Sequence, residues 1–268
     1  MKYITYSDIR LKKRRSGSHK GENGRVLAVG GSMEYAGAIM LAGMAAYRSG
    51  VDTVVIAAPE KIALAINAWP DFITVKLRGS RLAKEHARQV INLSSRFDCM
   101  VLGNGVGLDR ETQEFCCRVI KGSMCRMVID ADALKAIRIQ DAKNSILTPH
   151  KREYEMLLRN SRLAGSNVQK HLGSNVLLLK GKVDVIQNRN STLYNRTGNA
   201  GMTVSGTGDV LAGLCAGLVA QGNSLLTSAA AAAYINGYAG DLLYREFGYG
   251  FTATDLADKI AYALKRWL

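Results

Sequence analysis

The densest chemistry in this 268-residue chain lies in one short stretch, Ser205-Gly206-Thr207-Gly208-Asp209. Gly206 and Gly208 let the backbone turn with its amides exposed. The apolar run that follows reads as a helix, whose first turn adds a partial positive charge. Amides and dipole together make an anion hole suited to a phosphate. A carboxylate at this spot repels a ground-state phosphate, so Asp209 needs another explanation. One is helix N-capping. The other is proton abstraction, in which a general base beside an anion hole activates a substrate hydroxyl for attack on a phosphoryl group. The residues alone leave both open.

Further groups recur after candidate strands: Gly30-Gly31-Ser32, Gly103-Asn104-Gly105-Val106-Gly107, Asp130-Ala131-Asp132-Ala133, Thr148-Pro149-His150 and Lys180-Gly181-Lys182. Asp130 and Asp132 are paired acids at a strand end. They suit Mg²⁺ shared with phosphates, or a cap on the following helix. Lys180 suits a nucleotide phosphate, or an ordinary hairpin.

The elements that must position these groups are legible as apolar patterns. Strands are expected at 25–30, 51–57, 98–103, 124–130 and 175–180, with a hairpin from 183–187 and 191–194. Helices are expected at 36–49, 61–69, 81–95, 111–121, 151–159, 209–220, 224–247 and 254–268. Nearly continuous apolar strands alternating with helices predict an α/β fold, a mostly parallel central sheet covered on both faces. Ligands of such sheets bind outside the carboxyl ends of the strands, where the small and charged groups recur.

Composition bounds the rest. The length suits one domain, and no Pro/Ser-rich linker divides the chain. The net charge of +14 fits anionic partners. Apart from Lys12-Lys13-Arg14-Arg15 the basic residues are spread out, and no RNA-recognition signature appears, so no specific nucleic acid is expected. Five cysteines without metal-ligand spacing suggest free thiols in a reducing cytoplasm. The uncharged run 210–240 is interrupted by Gln221-Gly222-Asn223-Ser224 and reads as two buried helices rather than a membrane span.

The stretch "NAGMTVSGTGDVLAG" (199–213) resembles the signature of the NAD(P)H-hydrate dehydratases of the ribokinase-like superfamily. "HKGENGRVLAVGGSMEYAGAIMLAGMAAYRSGVDTVVIAAP" (19–59), "VLGNGVG" (101–107), "VIDADAL" (128–134), "LTPHKREYEML" (147–157) and "LLLKGKVDVI" (177–186) agree in order and spacing. The resemblance spans residues 19–268 and implies a three-layer αβα sandwich. It implies repair of hydrated nicotinamide cofactors: ADP or ATP, with Mg²⁺, phosphorylates the hydroxyl of NADHX or NADPHX, and phosphate then leaves. It assigns Asp209 to the substrate hydroxyl as catalytic base. Ala38, Gly105, Gly107 and His150 are implied near the hydrate. Lys180, Gly181, Lys182, Val183, Asp184, Gly206, Thr207 and Gly208 are implied at the nucleotide. A cytoplasmic homo-oligomer, commonly a tetramer, is implied as well.

Departures stand beside the resemblance. Ser205 replaces the family's usual glycine. His150-Lys151-Arg152-Glu153 replaces His-Pro-Gly-Glu. Lys182 and Asp184 occupy positions where small residues or threonine are common. Residues 1–18 are too few for the epimerase domain that precedes many prokaryotic members. The competing readings are a kinase of a small vitamin-precursor alcohol (hydroxyethylthiazole, hydroxymethylpyrimidine or pyridoxal type) and a basic nucleotide- or nucleic-acid-binding protein without turnover.

Overall fold

The computed structural model describes residues 1–267. In chain order the elements are β1 (Arg25–Val29), α1 (Ala36–Arg48), β2 (Thr53–Pro59), α2 (Glu60–Ile66), β3 (Ile73–Leu77), α3 (Ala87–Ser94), β4 (Cys99–Leu102), α4 (Arg110–Gly122), β5 (Arg126–Ile129), α5 (Asp132–Lys135), β6 (Ser145–Leu147), α6 (Lys151–Ser161), β7 (Val176–Leu179), β8 (Asp184–Gln187), β9 (Thr192–Asn195), α7 (Thr207–Ala220), α8 (Leu225–Phe247) and α9 (Ala253–Leu264). The strands form one sheet in the order β3-β2-β1-β4-β5-β6-β7-β8-β9. The first seven run parallel, and β8 and β9 add antiparallel.

Alternation within each buried strand divides the core in two. Val26, Ala28, Val101 and Val128 face α1, α7, α8 and α9, whereas Leu27, Val29, Met100 and Ile129 face α3, α4 and α5. The result is the expected three-layer αβα sandwich. The uncharged run after Asp209 becomes α7 and α8. No described helix is long and apolar enough to cross a membrane.

Two strands were not anticipated. β3 is an edge strand with Ile73 56% exposed, so it lacks the continuous apolar pattern of the interior strands. β6 has only three residues, too few for a period to show. The helix expected at 81–95 is a short 3₁₀ turn (Lys84–His86) followed by α3. Of the helix expected at 254–268, residue 268 lies outside the described residues.

Small residues set the closest packing. A side chain at Gly213 on α7 would meet the Ala42 carbonyl oxygen of α1 at 2.0 Å, and one at Gly217 would meet Ser49 Oγ at 2.0 Å. The two helices therefore touch backbone to backbone beneath the sheet.

The basic run near the N-terminus is used at the opposite end of these helices. Arg14 pairs with Asp52 at 3.0 Å and donates to the Gly50 carbonyl at 3.4 Å, beyond the end of α1. The Lys12 amide donates to Asn223 Oδ1, beyond the end of α7. Cations near helix C-termini complement the negative end of the dipole. All five cysteines are free thiols.

Candidate active site

The strand order reverses between β1 and β4, the point where an open parallel sheet leaves a crevice. The loops after these strands meet there: the Gly31 amide donates to the Asn104 carbonyl at 2.9 Å. Across the crevice, a side chain at Gly105 would lie 3.1 Å from Ala38 Cβ and 2.4 Å from the Tyr35 carbonyl oxygen. Two residues implied at the hydrate, Ala38 and Gly105, are thus neighbours. Gly107 follows, its amide held by Asp132 Oδ2 at 3.1 Å.

Helix α7 begins at Thr207, two residues before the expected start, with Gly206 as its N-cap at φ 97°. That backbone conformation suits glycine, and a side chain there would strike Leu41 Cδ1 at 2.6 Å and Ala253 Cβ at 2.8 Å. Ser205 is exposed and has no positive φ, so the serine in place of glycine leaves the turn intact. Asp209 lies inside the first turn and caps nothing. The capping explanation is replaced by a different contact: Asp209 Oδ1 accepts from Asn104 Nδ2 at 2.7 Å.

The same Asn104 nitrogen donates to Asp130 Oδ2 at 3.0 Å. Asp130 Oδ1 accepts from Thr148 Oγ1 and Lys180 Nζ, both at 2.8 Å. Lys180, Asp130, Asn104 and Asp209 form one chain of contacts, buried at Asn104 and Asp130 and half-buried at its two ends. Burial and the neighbouring Asp130 carboxylate push Asp209 up to about 7, with Glu153 adding to the rise and Asn104 and Lys180 opposing it. Burial alone would lower Lys180, but the carboxylates of Asp130, Glu153 and Asp209 hold its ammonium charged above the usual range. A carboxylate poised near neutrality is what general-base work requires.

Neither aspartate after β5 caps the helix that follows. Asp132 fixes Gly107 and pairs with Lys135 at 2.7 Å. Asp130 has its oxygens taken by protein donors. Among the described residues no cluster of three or more His, Cys, Asp or Glu could hold a metal.

His150 is the N-cap of α6. Its Nδ1 accepts from the Arg152 and Glu153 amides at 3.1 and 3.3 Å, while Glu153 Oε2 accepts from the His150 amide at 2.9 Å. This reciprocal capping box explains why Glu153 keeps its place although Lys151-Arg152 recast the turn. The imidazole remains 51% exposed, and a backbone bridge sets His150 beside Lys180.

A cleft of 590 Å³ opens next to this chain of groups. Lys180, Gly181, Lys182, Asp184, Thr207 and Gly208 line it. A side chain at Gly208 would lie 3.3 Å from Lys180 Nζ, so a cation stands at the anion hole. Asp184 accepts from the Gly181 amide and from Asn195 Nδ2, both at 3.0 Å, and so shapes the β7–β8 turn. Val183 is exposed in that turn and Gly206 lies behind Thr207; neither is among the lining residues. Thr197, Asn199 and Asn236 line the cleft as well. Sequence reasoning missed these three as well as Asn104. The only signal for Asn104 was an amide set between glycines at a strand end.

Residues 26–262 match the family model described as NAD(P)H-hydrate dehydratase. The chain is 42% identical over 266 residues to the bifunctional NAD(P)H-hydrate repair enzyme Nnr of Methanocaldococcus jannaschii, covering 98% of this chain and 52% of that protein. It therefore spans about half the length of that relative. It is 38% identical over 276 residues to the ADP-dependent (S)-NAD(P)H-hydrate dehydratase of Cenarchaeum symbiosum, covering 98% of this chain and 96% of the relative. The crystal structure of the ADP/ATP-dependent NAD(P)H-hydrate dehydratase of Bacillus subtilis, co-crystallised with ATP and Mg²⁺, superposes with a TM-score of 0.81 at 26% identity, over 100% of this chain and 99% of that one. Fold, site and these likenesses agree: the chain belongs to the NAD(P)H-hydrate dehydratase family.

Proposed function

We propose that this chain restores NAD(P)H from the S-epimer of its hydrate, NADHX or NADPHX, at the expense of ADP or, second in preference, ATP. The observation that carries the reading is Asp209, held by Asn104 in the first turn of α7, beside an anion hole that Lys180 completes. The hydrate lies at Ala38, Gly105, Gly107 and His150. The nucleotide phosphates lie against Lys180 and the Thr207-Gly208 backbone.

Asp209 takes the hydroxyl proton as the hydroxyl oxygen attacks the terminal phosphorus. A new O–P bond forms and the bond to the bridging oxygen breaks, releasing AMP from ADP, or ADP from ATP. Phosphate then leaves with the electron pair of the ring C–O bond, a ring proton is lost, and the double bond returns. Backbone amides and Lys180 hold the charge of the transferring group. Mg²⁺ enters with the nucleotide phosphates, since among the described residues no cluster of three ligating side chains stands ready to hold it. We read residues 1–268 as one domain of a cytoplasmic homo-oligomer, a tetramer by family likeness.

The test incubates purified protein with NADHX and Mg²⁺, adds ADP or ATP, and follows reduced-nicotinamide absorbance, with Asp209→Asn in parallel. Return of absorbance with nucleotide, lost in the variant, supports the reading. Silence with both nucleotides sinks it, and a stable phosphate ester of a vitamin-precursor alcohol would put a kinase in its place.

A further inference from the structure

The edge of the sheet opposite the candidate site gathers cations. Strands β1, β4, β5 and β6 are parallel neighbours, so their first residues lie along one edge. Arg126 opens β5, Arg96 lies in the turn before β4, and Lys143 lies two residues before β6. The basic run near the N-terminus joins this edge. Arg14 pairs with Asp52, just ahead of β2. The Lys12 amide and the Arg126 guanidinium both donate to Asn223, at 2.8 and 3.0 Å. Lys12, Lys13 and Arg15 line a recess of 370 Å³ beside the ends of α1 and α7.

The acids of this edge are already committed. Asp52 is held by Arg14 and by the Gly21 and Asn23 amides, Asp98 by Arg25, and Asp141 by Arg138 and Lys121. Glu22 accepts from the His19 amide. The helix ends are answered from within too: Arg14 donates to the Gly50 carbonyl, Gln221 to that of Ser49 and Asn223 Nδ2 to that of Leu218. Lys12, Lys13, Arg15, Arg96, Arg126 and Lys143 have no carboxylate partner among the described residues. All but the half-buried Arg126 are exposed. These charges are left to meet an anion from outside.

A row of positive charge along a sheet edge matches a linear polyanion better than a point ligand. Neighbouring strands lie about 4.8 Å apart, so the row spans several phosphates of a nucleic-acid backbone. Its neighbours in the chain offer little else: Phe97 packs against the core, and Met124 is a lone exposed hydrophobic. Single strands are held largely by aromatic stacking, and a membrane surface by a broad apolar face. Duplex phosphates need neither. We propose that this edge docks the phosphate backbone of duplex nucleic acid without reading its sequence. The excess of 36 Lys and Arg over 22 Asp and Glu supplies long-range attraction. The docking does not rest on the reaction given above, and it leaves the cleft at the other edge open.

Fluorescence anisotropy with a labelled DNA duplex, over a salt series, tests it. Wild type is expected to bind at low salt, with log K falling linearly as log salt rises. Lys12→Gln, Lys13→Gln and Arg15→Gln combined in one protein leave the Arg14–Asp52 pair in place. That variant should bind about tenfold or more weaker at low salt, with a slope flatter by about 2–3, near 0.9 per lost phosphate contact. Arg96→Gln with Lys143→Gln should act in the same direction from the other end of the row. A control with Lys61→Gln, Lys76→Gln and Arg78→Gln removes the same charge around α2 and β3 and should keep the wild-type Kd. Equal weakening by the control would reduce the effect to net charge and overturn the assigned edge. A wild type that ignores the duplex, or that prefers a single strand of equal length or phosphatidylserine vesicles, overturns the assigned partner.

Discussion

One amide nitrogen, Asn104 Nδ2, donates to Asp209 at 2.7 Å and to Asp130 at 3.0 Å, so a single neutral group holds one half-buried and one buried carboxylate at once. A cation in its place would ion-pair with both and quench the base. A neutral donor orients Asp209 and leaves it basic. Asn104→Leu removes that donor. We expect the folded protein to lose about 1–3 kcal/mol from the unpaired carboxylates, read by chemical denaturation. The acid limb of the rate profile should move to higher pH, because Asn104 holds Asp209 down. Equal loss at every pH would show a merely structural role.

Asp209 itself predicts a pH dependence of two opposite signs. The base acts when ionised, so turnover should rise with pH through about 7. Stability runs the other way. The folded-state value of about 7 stands above the ordinary 3.8, so the group's contribution is present in full below 3.8 and is lost as pH rises through 7. The melting temperature of wild type should fall relative to Asp209→Asn between about pH 4 and pH 7 and level off above it. Parallel melting curves for the two proteins would refute the burial argument.

Lys180 and Asp130 form a pair whose side chains are 19% and 2% exposed. Removing one partner of such a pair leaves a stranded charge. Lys180→Met should cost about 3–5 kcal/mol and abolish turnover. Adding Asp130→Asn should recover part of the stability and none of the turnover. Stability that does not recover in the double variant would show that the two charges are not coupled.

Gly206 and Ser205 are adjacent and should respond differently. Gly206→Ala forces a side chain into Leu41 and Ala253 at φ 97° and should cost about 1–3 kcal/mol, with weaker ADP binding. Ser205→Gly changes an exposed residue and should shift stability by no more than about 0.5 kcal/mol. Equal effects at the two positions would contradict the assigned turn.

Chelation should separate nucleotide-borne Mg²⁺ from any structural metal. A chelator is expected to stop turnover and leave the melting temperature of the nucleotide-free protein unchanged. A drop in melting temperature would reveal a resident metal.

The interior strands were readable because burial on both faces writes an unbroken apolar run, as at β1 and β4. β3 and β6 escaped the same reasoning, one for its exposed edge and the other for its brevity. The glycine turn before α7 was legible in local chemistry, since glycines ahead of an apolar helix need no tertiary context. The partner of Asp209 was not. Asn104 is 105 residues away, and nothing local says that the loop after β4 closes on the first turn of α7. The same holds for Asn236, one polar residue in an alanine-rich helix.

The backbone contact between α1 and α7 has a consequence for the proposed reaction. Ala38 rides on the first helix and Asp209 on the second, and the glycines at 213 and 217 lock the pair together far below the crevice. On the proposed reading, the gap that a phosphoryl group would cross is cast when the chain folds, like the jaw spacing of a fixed wrench, and any closing movement on binding is left to the loops above it.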